Sequence, residues 1–201
     1  MFQLFYDITD KFVNQSSLET DFDNYSTFNI FGKASRSNLQ GLLNSELVDE
    51  WKNKCVIGLF DFDDAYKIDY QAKLKTGNQN FWEELSNDVS KGLYKKRKTV
   101  DMYAVVLPVP EFRKNIAGVE LDKSYLEVEL LFTDEVLERI FDGQDYAKER
   151  LAGGISIPKV RNKECFWRKC VELDKDDFSA FDPLFGLIEE LINSSTQKLK
   201  D

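Results

Sequence analysis

The sequence predicts an α/β fold: a mainly parallel sheet flanked by helices, with a helical C-terminal extension. Three observations lead there. Short apolar runs alternate with leucine-rich stretches at helical spacing. Cys55 to Phe60 is a continuous apolar run of the kind a strand buried on both faces requires. Near the C-terminus, Phe178, Phe181, Leu184, Phe185, Ile188, Leu191 and Ile192 recur at steps of three and four, which puts them on one helix face. At 201 residues the chain reads as one domain over 1–201, with a core over about 1–132 and the helical extension over about 133–201.

Phe2 to Phe5 is a short strand candidate that ends in the polar Tyr6-Asp7-Ile8-Thr9-Asp10. A second strand is expected over Ser26 to Phe31, closed by Gly32-Lys33. A helix follows from near Ser35 through Leu39, Leu42, Leu43 and Leu47 to Trp51. After the Cys55–Phe60 strand, the polar stretch from Asp69 to Thr99 reads as an insertion with some helix around Phe81 to Val89. Tyr103 to Leu107 resumes the sheet, and Pro108-Val109-Pro110 stops it. Tyr125 to Phe132 interleaves Glu127 and Glu129 with apolar residues, which permits a strand. Thr133-Asp134-Glu135 ahead of Val136, Leu137, Ile140 and Phe141 then starts a helix. Asp174 or Asp177 is placed to cap the start of the final helical stretch.

Composition removes whole classes of chemistry. The chain has no histidine, so it has no Ser-His-Asp or Cys-His machinery and no His-ligated zinc. Carboxylates, lysines, tyrosines or a bound metal must carry any reaction. With 36 acidic against 27 basic side chains the formal charge is −9, which disfavours coating nucleic acid by bulk attraction. A local basic patch at Lys95, Lys96, Arg97 and Lys98, with Lys91, Tyr94 and Tyr103 nearby, is the candidate DNA contact; a solvated loop is the commoner meaning of such a run. Cys55, Cys165 and Cys170 are odd in number and lack paired spacing, so a disulfide framework is not expected. No apolar run reaches the ~20 residues a membrane span needs. With no basic leader at the start, the expectation is a cytoplasmic protein.

The most informative segment is Val56-Ile57-Gly58-Leu59-Phe60-Asp61-Phe62-Asp63-Asp64-Ala65. The carboxyl end of a buried strand in an α/β sheet faces the crevice where ligands bind, and here it carries three carboxylates. Asp61 and Asp63, two apart, suit a hard divalent cation whose octahedron water and phosphate complete. The same triplet also reads as an acidic turn that ends a strand.

Taken in order, these segments resemble the Toprim domain, in the version found at the C-terminus of the overcoming-lysogenization-defect (OLD) family of ATP-dependent nucleases. The resemblance is carried by Tyr6-Asp7-Ile8-Thr9-Asp10-Lys11, by Gly32-Lys33 with Asn38-Leu39, and most sharply by Asp61-Phe62-Asp63-Asp64-Ala65. Tyr103 to Pro110, Glu127 to Asp134 and Asp177-Phe178 through Phe185 resemble the later segments. The resemblance implies a metal-dependent endonuclease in which Asp61 and Asp63 hold Mg²⁺ (or Mn²⁺) and Asp7 or Asp10 assists. Glu129 or Glu127 then supplies a second carboxylate cluster, and Lys163 neutralises charge developing on the phosphate. It also implies a separate ATPase or other partner chain, since no Gly-Lys-Ser/Thr phosphate loop is present, and a setting in phage defence or DNA repair. One departure is clear: Tyr6 stands where the family places its metal-binding or general-base Glu, and Asp7 where Gly is usual. That departure sustains the rival expectation of a degenerate Toprim-like module that binds a partner protein or nucleic acid without cutting.

Overall fold

The structure is a computed structural model and describes residues 43, 54–77, 80–140, 146–150, 156–160 and 162–197. These divide into two compact units, one drawn from Phe132–Ala180 and the other from Lys33–Leu131 together with Phe181–Asp201. The strand candidates before Gly32 lie outside the described residues. Within the expected Ser35–Trp51 helix, Leu43 is described, and it is helical and buried.

The larger unit is built on a four-stranded sheet of β1 (Val56–Phe60), β2 (Trp82–Ser86), β3 (Tyr94–Arg97) and β4 (Met102–Val106), in spatial order β1-β4-β3-β2. The β1 and β4 strands are parallel, with Val56 opposite Met102 and Phe60 opposite Val106. The β4–β3 and β3–β2 pairs are antiparallel. The sheet is therefore mixed, where a mainly parallel one was expected. The wholly buried strand is β4, flanked by β1 and β3, while Val56, Ile57 and Leu59 of β1 are half-buried. On one face Tyr103 and Val105 pack against Leu187 and Leu191, with Ile57, Leu59 and Tyr94 around them. Leu187 and Leu191 belong to the C-terminal helix, Asp182–Gln197. The other face carries a helical segment centred on the π-helical turn Tyr66–Gln71, whose Tyr70 ring meets Phe60 edge-on at 6.1 Å.

The reading of 69–99 as an insertion with helix near Phe81 is corrected. This stretch supplies β2 and β3, half of the sheet. Trp82 anchors β2 in the core, with Glu83, Glu84 and Leu85 exposed. Between the two strands Gly92 takes φ +97°, and an added Cβ would meet the Val106 carbonyl oxygen at 3.1 Å. Only glycine enters that conformation without strain.

The smaller unit contains α1 (Asp134–Ile140), the antiparallel hairpin β5 (Tyr146–Arg150) and β6 (Ser156–Val160), and α2 (Lys163–Cys170). The C-terminal helix above is α3. Helix α1 begins where the Thr133-Asp134-Glu135 start signal puts it, with the Thr133 hydroxyl accepting the Val136 N–H at 3.3 Å. Asn162 caps α2 by accepting from the Cys165 N–H at 3.0 Å. Lys169 reaches back to the last carbonyl of α1, donating to Ile140 O at 3.0 Å, and Phe132 packs edge-on against Phe166 and Phe178. The β5–β6 hairpin makes the segment after 132 mixed in structure, where a wholly helical extension was expected.

Candidate metal centre

The carboxyl end of β1 is clamped by backbone on two sides. Phe60 O accepts the Leu107 N–H at 3.1 Å, continuing the pairing with β4. Two residues on, Phe62 and Leu126 exchange both backbone hydrogen bonds, at 2.8 and 3.0 Å. Phe62 is fully buried against the ring of Tyr66, 4.7 Å away between centroids. Asp61 and Asp63 flank that buried ring and are themselves half-buried, and Asp64 is exposed. Sequence alternation drives this: an apolar residue between two carboxylates puts the ring into the core and leaves the charges nearer solvent.

Each aspartate orders backbone. Asp61 Oδ1 accepts the Val128 N–H at 3.2 Å, which ties the end of β1 to the segment 126–131. Asp63 Oδ1 accepts the Ala65 N–H at 2.7 Å and so serves the first turn of the helical segment. Each such bond takes one of the about four acceptor sites of a carboxylate and fixes the group's direction.

The second acidic segment lies alongside through the Phe62–Leu126 bridge. There the expected strand is replaced by a single bridging residue and a 3₁₀ turn, Val128–Leu131. Arg113 holds that turn by donating from Nε to Leu130 O at 2.9 Å. Glu129 is buried within it, and Glu127 is half-buried and accepts the Tyr125 hydroxyl at 3.1 Å. The structure thus brings together the chain segments carrying Asp61, Asp63, Glu127 and Glu129. Among the described residues no three His, Cys, Asp or Glu side chains form a group able to hold a metal ion. Mg²⁺ is commonly bound through only one or two carboxylates, with water and phosphate oxygens completing the octahedron.

Tyr6, Asp7 and Asp10 lie outside the described residues. Lys163 opens α2 in the smaller unit and is half-buried. The basic run is corrected as a surface patch, because it forms β3 and its alternate side chains turn inward. Lys95 is 5% exposed and Arg97 3%. Arg97 donates to Leu43 O at 2.8 Å, Lys96 pairs with Asp101 at 2.8 Å, and Lys98 donates to Gly77 O at 2.7 Å. Cys170 is a buried thiol and Cys165 a half-buried one, as packing residues.

The Val128 N–H and the Phe62–Leu126 latch were invisible to sequence reasoning, because a backbone donor has no side-chain signature. The Glu-rich alternation at 127–129 was the one hint that this segment belonged beside Asp61. Among the described residues no helix is long and apolar enough to cross a membrane. Compared with known proteins, the chain matches no family model, no curated protein and no solved structure.

Proposed function

We propose that the chain is a Toprim-like, Mg²⁺-dependent nuclease module of the OLD type, working with a separate ATPase or other partner chain on DNA. The observation that carries this reading is the latch that sets Asp61 and Asp63, at the end of a sheet strand, beside the segment of Glu127 and Glu129. Mg²⁺ bound there supplies Lewis-acid stabilisation of a phosphodiester oxygen and lowers the pKa of a bound water. The chain's own part is to hold carboxylate oxygens in fixed directions, which the Val128 and Ala65 N–H groups do for Asp61 and Asp63. The test is nicking of supercoiled plasmid. Mg²⁺ or Mn²⁺ is expected to support relaxation, and Asp61→Ala with Asp63→Ala to abolish it. Absence of cleavage by the unmodified chain, with a cognate ATPase supplied, overturns the proposal.

A second reading is favoured by the backbone duties of the same two aspartates, since capping and latching give carboxylates at these positions a structural role. In that reading the module binds a partner protein or nucleic acid without cutting, and the plasmid stays intact while binding persists in the double variant.

A further inference from the structure

The face of the sheet that carries the helical segment holds a cavity of about 350 Å³ that shares no residue with the acidic loop. Tyr66, Tyr70, Lys75, Glu84 and Lys95 line it, and Thr76 is among the polar residues at its wall. Lys95 is the built part. From β3 its ammonium reaches the end of the helical segment, donating to Tyr70 O at 3.0 Å and Leu74 O at 2.8 Å and lying 4.2 Å above the Tyr70 ring. Those bonds use two of its three N–H groups. The Tyr70 hydroxyl is buried with no hydrogen-bond partner among the described residues, a state a native fold keeps only at a cost. Burial raises its pKa, so it remains a protonated donor.

The kind of ligand follows from what is already satisfied. Tyr70 stacks on Tyr66 at 5.6 Å between centroids, under the Lys95 ammonium, so its ring faces have partners. The outstanding capacity is for an acceptor: a buried phenol hydroxyl and a buried ammonium, with the exposed Lys75 beside them. Two lysines against the single carboxylate Glu84 give the lining a positive balance in a chain whose formal charge is −9. A low-dielectric wall strengthens such a field.

We propose that this cavity binds a small molecule through an oxyanion, a carboxylate or phosphate group accepted between Lys95 and the Tyr70 hydroxyl with Lys75 at the mouth. The inference stands apart from the nuclease reading and survives its failure.

Titration of the isotope-labelled full chain with inorganic phosphate, and separately with citrate, against chloride at matched ionic strength tests it by NMR. Saturable shifts are expected at Tyr70, Thr76 and Lys95; saturation by phosphate alone identifies a phosphate ligand, and by citrate alone a carboxylate. Tyr70→Phe keeps the ring and is expected to weaken binding about tenfold without lowering Tm. Lys75→Ala, on the exposed side, is expected to weaken binding, and Glu84→Gln to tighten it by removing a competing charge. Three results overturn the proposal: no saturable shift with either anion, affinity indifferent to Tyr70→Phe and Lys75→Ala, or a Tm loss in Tyr70→Phe that assigns the hydroxyl a structural partner.

Discussion

At Asp63 the proposed nuclease asks one carboxylate to do two things, and substitution separates them. Its Oδ1 accepts the Ala65 N–H at 2.7 Å, the bond that starts the helical segment. Asn keeps an oxygen in that place and loses the charge; Ala loses both. In urea denaturation Asp63→Ala is expected to lower stability by about 1 kcal/mol, as removal of a helix-starting acceptor does, with Asp63→Asn close to the unmodified chain. Divalent-ion affinity is expected to fall in both. The pair Asp61 and Asp63 was legible in the sequence because a carboxylate is a chemical signature and alternation around Phe62 is a geometric one. Their backbone partners were not, since Val128 and Ala65 contribute only N–H groups.

Among elements, legibility followed the apolar pattern and failed where polar residues fill the core. The continuous run at β1, the run at Tyr103–Leu107, the start of α1 and the stripe of α3 from Leu184 to Ile192 lie where hydrophobic periodicity placed them. Phe178 and Phe181, expected on the same helix, precede it in a 3₁₀ segment, Lys175–Phe181, so that α3 starts at Asp182 and not near Asp174 or Asp177. In β3 the inward positions are Lys95 and Arg97, so the period-two signal was written in cations. A buried cation is tolerable when carbonyls accept its N–H groups, as Tyr70 O, Leu74 O and Leu43 O do here. Only folding brings those carbonyls into reach, so the strand read as a solvated basic run. The β2–β3 connection gives this element its own prediction. Gly92→Ala forces a Cβ to 3.0 Å from Leu187 Cδ2 and 3.1 Å from Val106 O at φ +97°. A loss of about 1–3 kcal/mol is expected in chemical denaturation. A neutral outcome would show that the connection reshapes freely.

For the whole molecule, the buried titratable groups set the alkaline limit. Burial pushes the Cys55 thiol up from 9.0 and the Tyr103 hydroxyl up from 10.0, so the folded chain keeps these protons to higher pH than the unfolded chain. Their stabilisation is fully present below those ordinary values and is lost as pH rises from there through the raised values of the folded chain. Lys95 works the other way: burial lowers it from 10.5, so its contribution to stability grows as pH approaches that value. Tyr94, also raised by burial, joins the proton-keeping side, and a net loss of stability is expected above about pH 9. Urea midpoints across an alkaline series check this. Tyr103→Phe is expected to flatten the loss and Lys95→Met to steepen it.

A nuclease built on these residues must capture a divalent ion at the end of β1. Crystals soaked in Mn²⁺ and read by anomalous scattering address that directly. The expected result is a peak between the carboxylates of Asp61 and Asp63 that disappears in the Asp61→Asn, Asp63→Asn double variant. Saturating Mn²⁺ with no peak there, and both side chains still accepting the Val128 and Ala65 N–H groups, would contradict it.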